Sequence, residues 1–395
     1  MKIFISLHPS YKTTDNVSFL KLKKTSQSRF IRNKKMTRII IILLLISQTL
    51  AGQTTKRLSK PEKDFETFWT TFKDNYAFFK LKGVNWDSTY IKYRPLISGK
   101  TKEKELIDVF GKMVDPLQDG HITISKGENI LYKSIKPSQF RQEFKGLEKQ
   151  FWQTSNATLS SYGFLKPKGV GPVFKEENLY YFSKNENVGY IRITRCFAEA
   201  ESIFEETKEI SDTKLMLHLF DSLLHEASNT KALIIDLRAN GGGHGGLELA
   251  SRFVKTKTLT HYKSVKVKGG YETYTALEPQ FISPNNGMQY LKQVYILTND
   301  KTASSAEDFT ISLYKQGNVM TIGTNTSGML SDMFNGQLSN KISFTLSNQV
   351  YYSIDKIILE DRGVPVTHEI KNTKQDIERQ KDSVIEYAIK IINKQ

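Results

Sequence analysis

Cys196 is the only cysteine in 395 residues. No internal disulfide can form, and the apolar-flanked context Thr194-Arg195-Cys196-Phe197 reads as a buried core thiol rather than a nucleophile. A Gly-Lys-Ser/Thr sequence is missing, which excludes a P-loop. No spacing of His, Asp, Glu and Cys suggests a metal, and no cofactor is expected. The longest apolar run, residues 39–46, is too short for a comfortable membrane span. A basic excess is lacking where it would matter. The formal net charge is +16, but residues 1–57 carry twelve Lys/Arg against one Asp, leaving +5 for residues 58–395. A nucleic-acid partner requires a clustered basic footprint, and that support is gone.

The short apolar run has another explanation. Met36-Thr37-Arg38 precedes it and Thr49-Leu50-Ala51 follows with small residues for cleavage. Residues 1–52 therefore read as a polar, basic upstream extension joined to a secretory signal peptide that starts near Met36, with its h-region at 39–50. No lipid-attachment cysteine follows. The expectation is a soluble exported protein, periplasmic or extracellular, without stable membrane insertion after cleavage.

Apolar content and length suit a large α/β domain with a smaller accessory one. Phe65, Phe68, Trp69 and Phe72 recur at three- and four-residue steps, and residues 86–93 repeat the pattern, so residues 58–121 are expected to be a small helical N-terminal domain. Residues 122–178 show no regular period and read as an irregular linker or small subdomain. From residue 179 to 395 the pattern is strand, helix, strand: strands at 188–193, 232–237, 294–298, 319–322 and 351–359, and helices around 218–227, 247–254, 305–314 and 375–392. Such alternation predicts an α/β fold with a mainly parallel sheet whose site lies beyond the carboxyl ends of the strands.

Two motifs stand at such ends. Thr302-Ala303-Ser304-Ser305-Ala306-Glu307 places serines where a buried strand becomes a helix, so free N–H groups and the helix dipole can stabilise an alkoxide or an oxyanion. Asn240-Gly241-Gly242-Gly243-His244-Gly245-Gly246 satisfies G-x-G-x-x-G, but the acidic residue expected about 20 positions on for a dinucleotide site is missing among Lys263, Lys266 and Lys268. Three glycines in a row invite close approach of a ligand to backbone N–H groups, as an oxyanion hole requires.

Together these elements are specific. Asp236-Leu237-Arg238-Ala239-Asn240-Gly241-Gly242-Gly243 resembles a DLRxNGGG element, and residues 302–307 a TASAxE element, of the serine peptidases that include carboxyl-terminal processing proteases and the tricorn core protease. Residues 323–328 resemble the turn that follows. The resemblance implies a crotonase/ClpP-like β-α core, Ser304 as nucleophile, and an oxyanion hole from the N–H of Ser305 with Gly241 or Gly242. Processing proteases activate the serine with a lysine in a Gly-Lys-Gly turn. Here that turn reads Gly328-Met329-Leu330, and a thioether accepts no proton, so the chain resembles the tricorn-like branch, which uses a histidine. His121, in Asp119-Gly120-His121-Ile122-Thr123, resembles that histidine, and Glu360 the glutamate that supports it. The serine that links the two in that branch is Gly120 here. Asp119 is a rival orienting carboxylate; His244 and Asp119 are also candidates for substrate contact. No standard PDZ domain is expected.

The expected function is an exported serine endopeptidase acting on polypeptide through a Ser304 acyl-enzyme with His121 as general base. The alternative is a non-catalytic peptide- or ligand-binding protein on the same fold, motivated by Met329 and Gly120. A nucleotide-binding oxidoreductase rests on the glycine cluster alone.

Overall fold

A computed structural model describes residues 57–203 and 205–394. The expected signal peptide lies outside the described residues.

Helix α1 (Lys60–Asn75) starts where Pro61 suits the first turn and the Ser59 N–H donates to Glu62 Oε2 at 2.9 Å. With α2 (Trp86–Tyr93) and α3 (Glu103–Val114) it forms the N-terminal helical region. The aromatic stripe of α1 turns inward: Phe68 stacks on Phe110 of α3 with centroids 4.0 Å apart and meets Phe344 at 4.8 Å. Phe344 comes from the far end of the chain, so the core these helices form is completed by a strand more than two hundred residues away.

Residues 122–178 hold β1 (Thr123–Lys126), β2 (Asn129–Lys133), α4 (Gln139–Glu143), α5 (Glu148–Ser161) and β3 (Lys168–Phe174). Beyond them come β4 (Glu177–Lys184), β5 (Val188–Ile193), α6 (Glu206–Glu226), β6 (Ala232–Asp236), α7 (Gly246–Ala250), β7 (Thr258–Val265), β8 (Glu278–Ile282), β9 (Gln293–Thr298), α8 (Ser305–Leu313) and β10 (Val319–Gly323). The chain ends with β11 (Met333–Gln337), β12 (Ile342–Ser347), β13 (Gln349–Ser353), β14 (His368–Glu369), α9 (Lys374–Glu378) and α10 (Ser383–Ile392).

The main sheet has the order β14-β10-β9-β6-β5-β4-β3, parallel from β14 to β5 and antiparallel beyond. All five residues of β6 are buried, as expected for a strand covered on both faces. Leu233 and Ile235 face Phe220 and Leu224 of α6 and Phe309 of α8; Ala232 and Ile234 face Leu159 of α5 and Ile385 and Ile389 of α10. A second sheet, β11-β12-β1-β2, carries β1 on β12 and so fastens the segment after the helices to the core.

Two elements differ from expectation. The strand expected at 351–359 ends at Ser353, because the chain reverses through Lys356 at φ +61° and the Ser353 N–H bonds Ile357 O. The closing helix is broken between α9 and α10 at Gln380, φ +53°. Asp382 then caps α10 through the N–H groups of Val384 and Ile385 while its carboxylate pairs with buried Arg238. That ion pair fixes where the second helix starts.

Candidate active site

Ser304 is the residue before α8 and adopts φ +53°, ψ −126°, a conformation L side chains rarely take. Its neighbours over-determine it. The Ser304 N–H is shared between Met329 O at 3.0 Å and Glu307 Oε2 at 3.1 Å. Ala303 N donates to Asn240 O at 2.9 Å and Thr302 Oγ1 to Leu237 O at 2.9 Å. Glu307, fully buried, also accepts from Thr326 Oγ1 at 2.5 Å, Gly328 N at 2.7 Å and Met329 N at 2.8 Å. Burial pushes this carboxyl up to about 7 against the pull of those hydrogen bonds. Glu307 is thus the clasp between the serine turn and the 326–329 turn.

The glycine loop leaves β6 and arrives beside the serine. Asn240 shapes it by donating from Nδ2 to Ile193 O at 3.0 Å and accepting the Gly242 N–H at 2.8 Å. At φ +91°, Gly242 is pressed so close that a Cβ would lie 2.7 Å from Ser304 Cβ and 2.9 Å from Ser305 N. Among the described residues none accepts the N–H of Gly241 or of Ser305, whereas that of Gly242 is taken by Asn240 Oδ1. Half-buried Ser304 lines a cavity of about 260 Å³ together with Gly243, His244, Asp308 and Asp332. Both ring nitrogens of His244 are engaged: Nδ1 meets Thr213 Oγ1 at 3.0 Å, and Nε2 meets Ser202 Oγ at 3.0 Å and Asp212 Oδ2 at 3.1 Å. The Asp236 and Arg238 of the same motif are structural, joining Tyr190 and Asp382 in a buried network. Cys196 is buried beneath the loop, its thiol pushed up to about 12 by burial.

His121 lies on the turn after α3, 7% exposed. Its N–H donates to Asp119 Oδ1 at 2.9 Å, its Nδ1 faces Ser347 Oγ at 3.3 Å, and its Nε2 is buried without a hydrogen-bond partner. Burial holds the imidazole below the usual histidine range, opposed first by the Asp119 charge. No hydrogen bond joins it to Ser304, yet both turns rest on one residue. Met329 accepts the Ser304 N–H through its carbonyl, and its side chain covers Gly120, where a Cβ would come within 2.6 Å of Met329 Cε. Glu360, 2% exposed, sits in the same buried region: the Asp119 charge and burial raise it well above the carboxylate range. Ser347 on β12 escaped the sequence reading, as did Tyr76, whose buried hydroxyl is acted on by both Asp119 and Glu360. Neither belongs to a motif. Among the described residues no group of three or more His, Cys, Asp or Glu is placed to hold a metal, and no helix is long and apolar enough to cross a membrane.

Similarity to known proteins follows the same division of the chain. Residues 187–370 match the model of peptidase family S41, and residues 59–115 that of the tricorn protease C1 domain. The carboxy-terminal processing protease CtpA of Bacillus subtilis is 31% identical over 155 residues, 38% of this chain and 28% of that protein. A carboxyl-terminal-processing protease of Picosynechococcus is 25% identical over 189 residues, 46% of this chain and 40% of the relative. The chain thus spans less than half the length of the curated relatives it matches. Among solved structures, a putative peptidase from Parabacteroides merdae superposes with a TM-score of 0.65 at 25% identity, covering 84% of this chain and 96% of that one. Mature CPAF bound to lactacystin superposes at 0.55 and 14% identity, covering 84% and 97%, a likeness of fold alone. With residues 187–370 matching the S41 model behind a helical segment at 59–115 that matches the tricorn C1 model, the chain is similar to peptidase family S41 over these two stretches.

Proposed function

We propose that this chain is an exported serine endopeptidase. Ser304 attacks a peptide carbonyl; His121 takes the serine proton and returns it to the leaving amine; the N–H groups of Ser305 and the glycine loop hold the oxyanion; water hydrolyses the acyl-enzyme. Glu360 and Asp119 are the carboxyl groups behind the base. The reading is carried by the strained φ of Ser304 at a helix start, with Gly242 pressed against its Cβ and the Ser305 N–H free. A hydroxyl held in such a conformation by this many hydrogen bonds is aimed rather than merely buried. Export rests on the segment at 36–51.

Ser304→Ala is expected to abolish cleavage of casein or of a peptide library with the melting temperature unchanged; cleavage that survives overturns the assignment. One observation favours a second reading. Met329 covers Gly120, and Ser304 makes no hydrogen bond to His121, which suits a ligand-binding protein on the same fold. Stoichiometric labelling of Ser304 by a fluorophosphonate supports the enzyme; folded protein that takes no label supports the binder.

A further inference from the structure

Two carboxyl groups share the buried region with His121, and the cations near them are engaged elsewhere. Asp119 is fully buried; its Oδ1 accepts the His121 N–H at 2.9 Å and its Oδ2 has no hydrogen-bond partner. Glu360 Oε1 has none either. Tyr76 Oη and His121 Nε2 bring the unpartnered buried polar atoms to four. The groups act on one another: the Asp119 charge is felt by His121, by Tyr76 and by Glu360. Lys82 and Lys136, the cations that act on Glu360, both pair with the Oδ1 of Asp361, the next residue along. Glu307 adds a further carboxyl on the Glu360 side.

Two buried carboxylates without a cation of their own do not both stay ionised, because desolvation of a second like charge beside the first is not offset. Hydrogen bonding decides which keeps the charge. Asp119 accepts a backbone N–H, which favours its ionised form, whereas Glu360 Oε1 accepts nothing. Of the charges acting on the His121 ring, that of Asp119 is the strongest; Asp332 adds to it, and Lys133 and Lys136 oppose it.

We propose that Asp119, and not Glu360, is the positioning residue that supplies the negative charge beside His121, with Glu360 held next to it as a neutral acid. This rests on the reading of His121 as the base. When the Ser304 proton passes to His121, the imidazolium is balanced by the Asp119 carboxylate, which takes up no proton, and the proton leaves with the amine. Tyr76, buried beside these groups, feels the charge of both carboxyls, and burial first and then those charges raise its phenol.

The test is the His121 imidazole pKa, followed by NMR of the purified protein in Asp119→Asn and Glu360→Gln. Asparagine keeps an oxygen to accept the His121 N–H, so the turn is retained. Removing a neighbouring negative charge lowers an imidazole pKa, here by about one pH unit or more. A larger fall in Asp119→Asn supports the proposal; an equal or larger fall in Glu360→Gln overturns it. Should Asp119→Asn fail to fold, Glu360→Gln decides alone, an unmoved imidazole supporting and a lowered one overturning. The readout needs no turnover. An inactive, unlabelled wild type therefore defeats the peptidase reading without touching this result; in an active enzyme the acid limb of kcat/KM moves to lower pH in Asp119→Asn alone.

Discussion

The serine turn and the histidine turn are built on opposite principles. At residues 302–307, Thr302, Ala303 and Ser304 are each tied to a partner, and Glu307 alone gathers four donors from two segments. At residues 119–121 the backbone is fixed by Asp119 Oδ1, but Asp119 Oδ2 and His121 Nε2 are buried with no partner, as are Glu360 Oε1 and Tyr76 Oη. The first turn stores strain that its neighbours hold in place; the second stores unmet polar capacity. A nucleophile needs a fixed direction, while a base needs a free lone pair. The contrast is what the two proposed roles require.

The contrast can be broken from the serine side first. Gly242→Ala puts a methyl within 2.7 Å of Ser304 Cβ at a φ of +91°. It is expected to lower kcat/KM by about 10²- to 10³-fold by displacing the Ser305 N–H from the oxyanion, measured against an unchanged far-UV spectrum. Glu307→Ala strips the acceptor from the buried N–H groups of Gly328 and Met329 and should cost about 2–4 kcal/mol in a denaturant titration; a loss below about 0.5 kcal/mol would mean the turn is held by packing instead. The smallest effect probes the residue shared by both turns. Gly120→Ser drives a side chain into Met329 and should cost about 1–3 kcal/mol, much of it recovered when Met329→Ala is added. Additive losses would separate the turns. On the histidine side, burial holds the imidazole below the ordinary histidine range, so the acid limb of kcat/KM in the wild type should lie below where an ordinary histidine titrates.

Legibility in the sequence follows the same divide. The strand-to-helix serine turn, the glycine loop after β6 and the inward aromatic stripe of α1 are short-range features, written within a few residues of one another. What the sequence obscured is long-range. The break between α9 and α10 is set by Arg238, 144 residues before Asp382. Strand β1 extends a sheet begun by β12, and the Ser347 that faces His121 stands 226 residues away from it. The proposed oxyanion donors divide likewise: the glycines were visible, but that Asn240 takes the Gly242 N–H depends on the folded loop.

By itself the sequence determined the α/β alternation, the glycine loop after a buried strand and the placing of Ser304 at a helix start, because period, glycine conformational freedom and helix-terminus chemistry act over one or two turns of chain. Only the tertiary structure decided what surrounds His121. Burial and charge are properties of space, and the four unpartnered atoms of Tyr76, Asp119, His121 and Glu360 come from segments that only the packed core brings together.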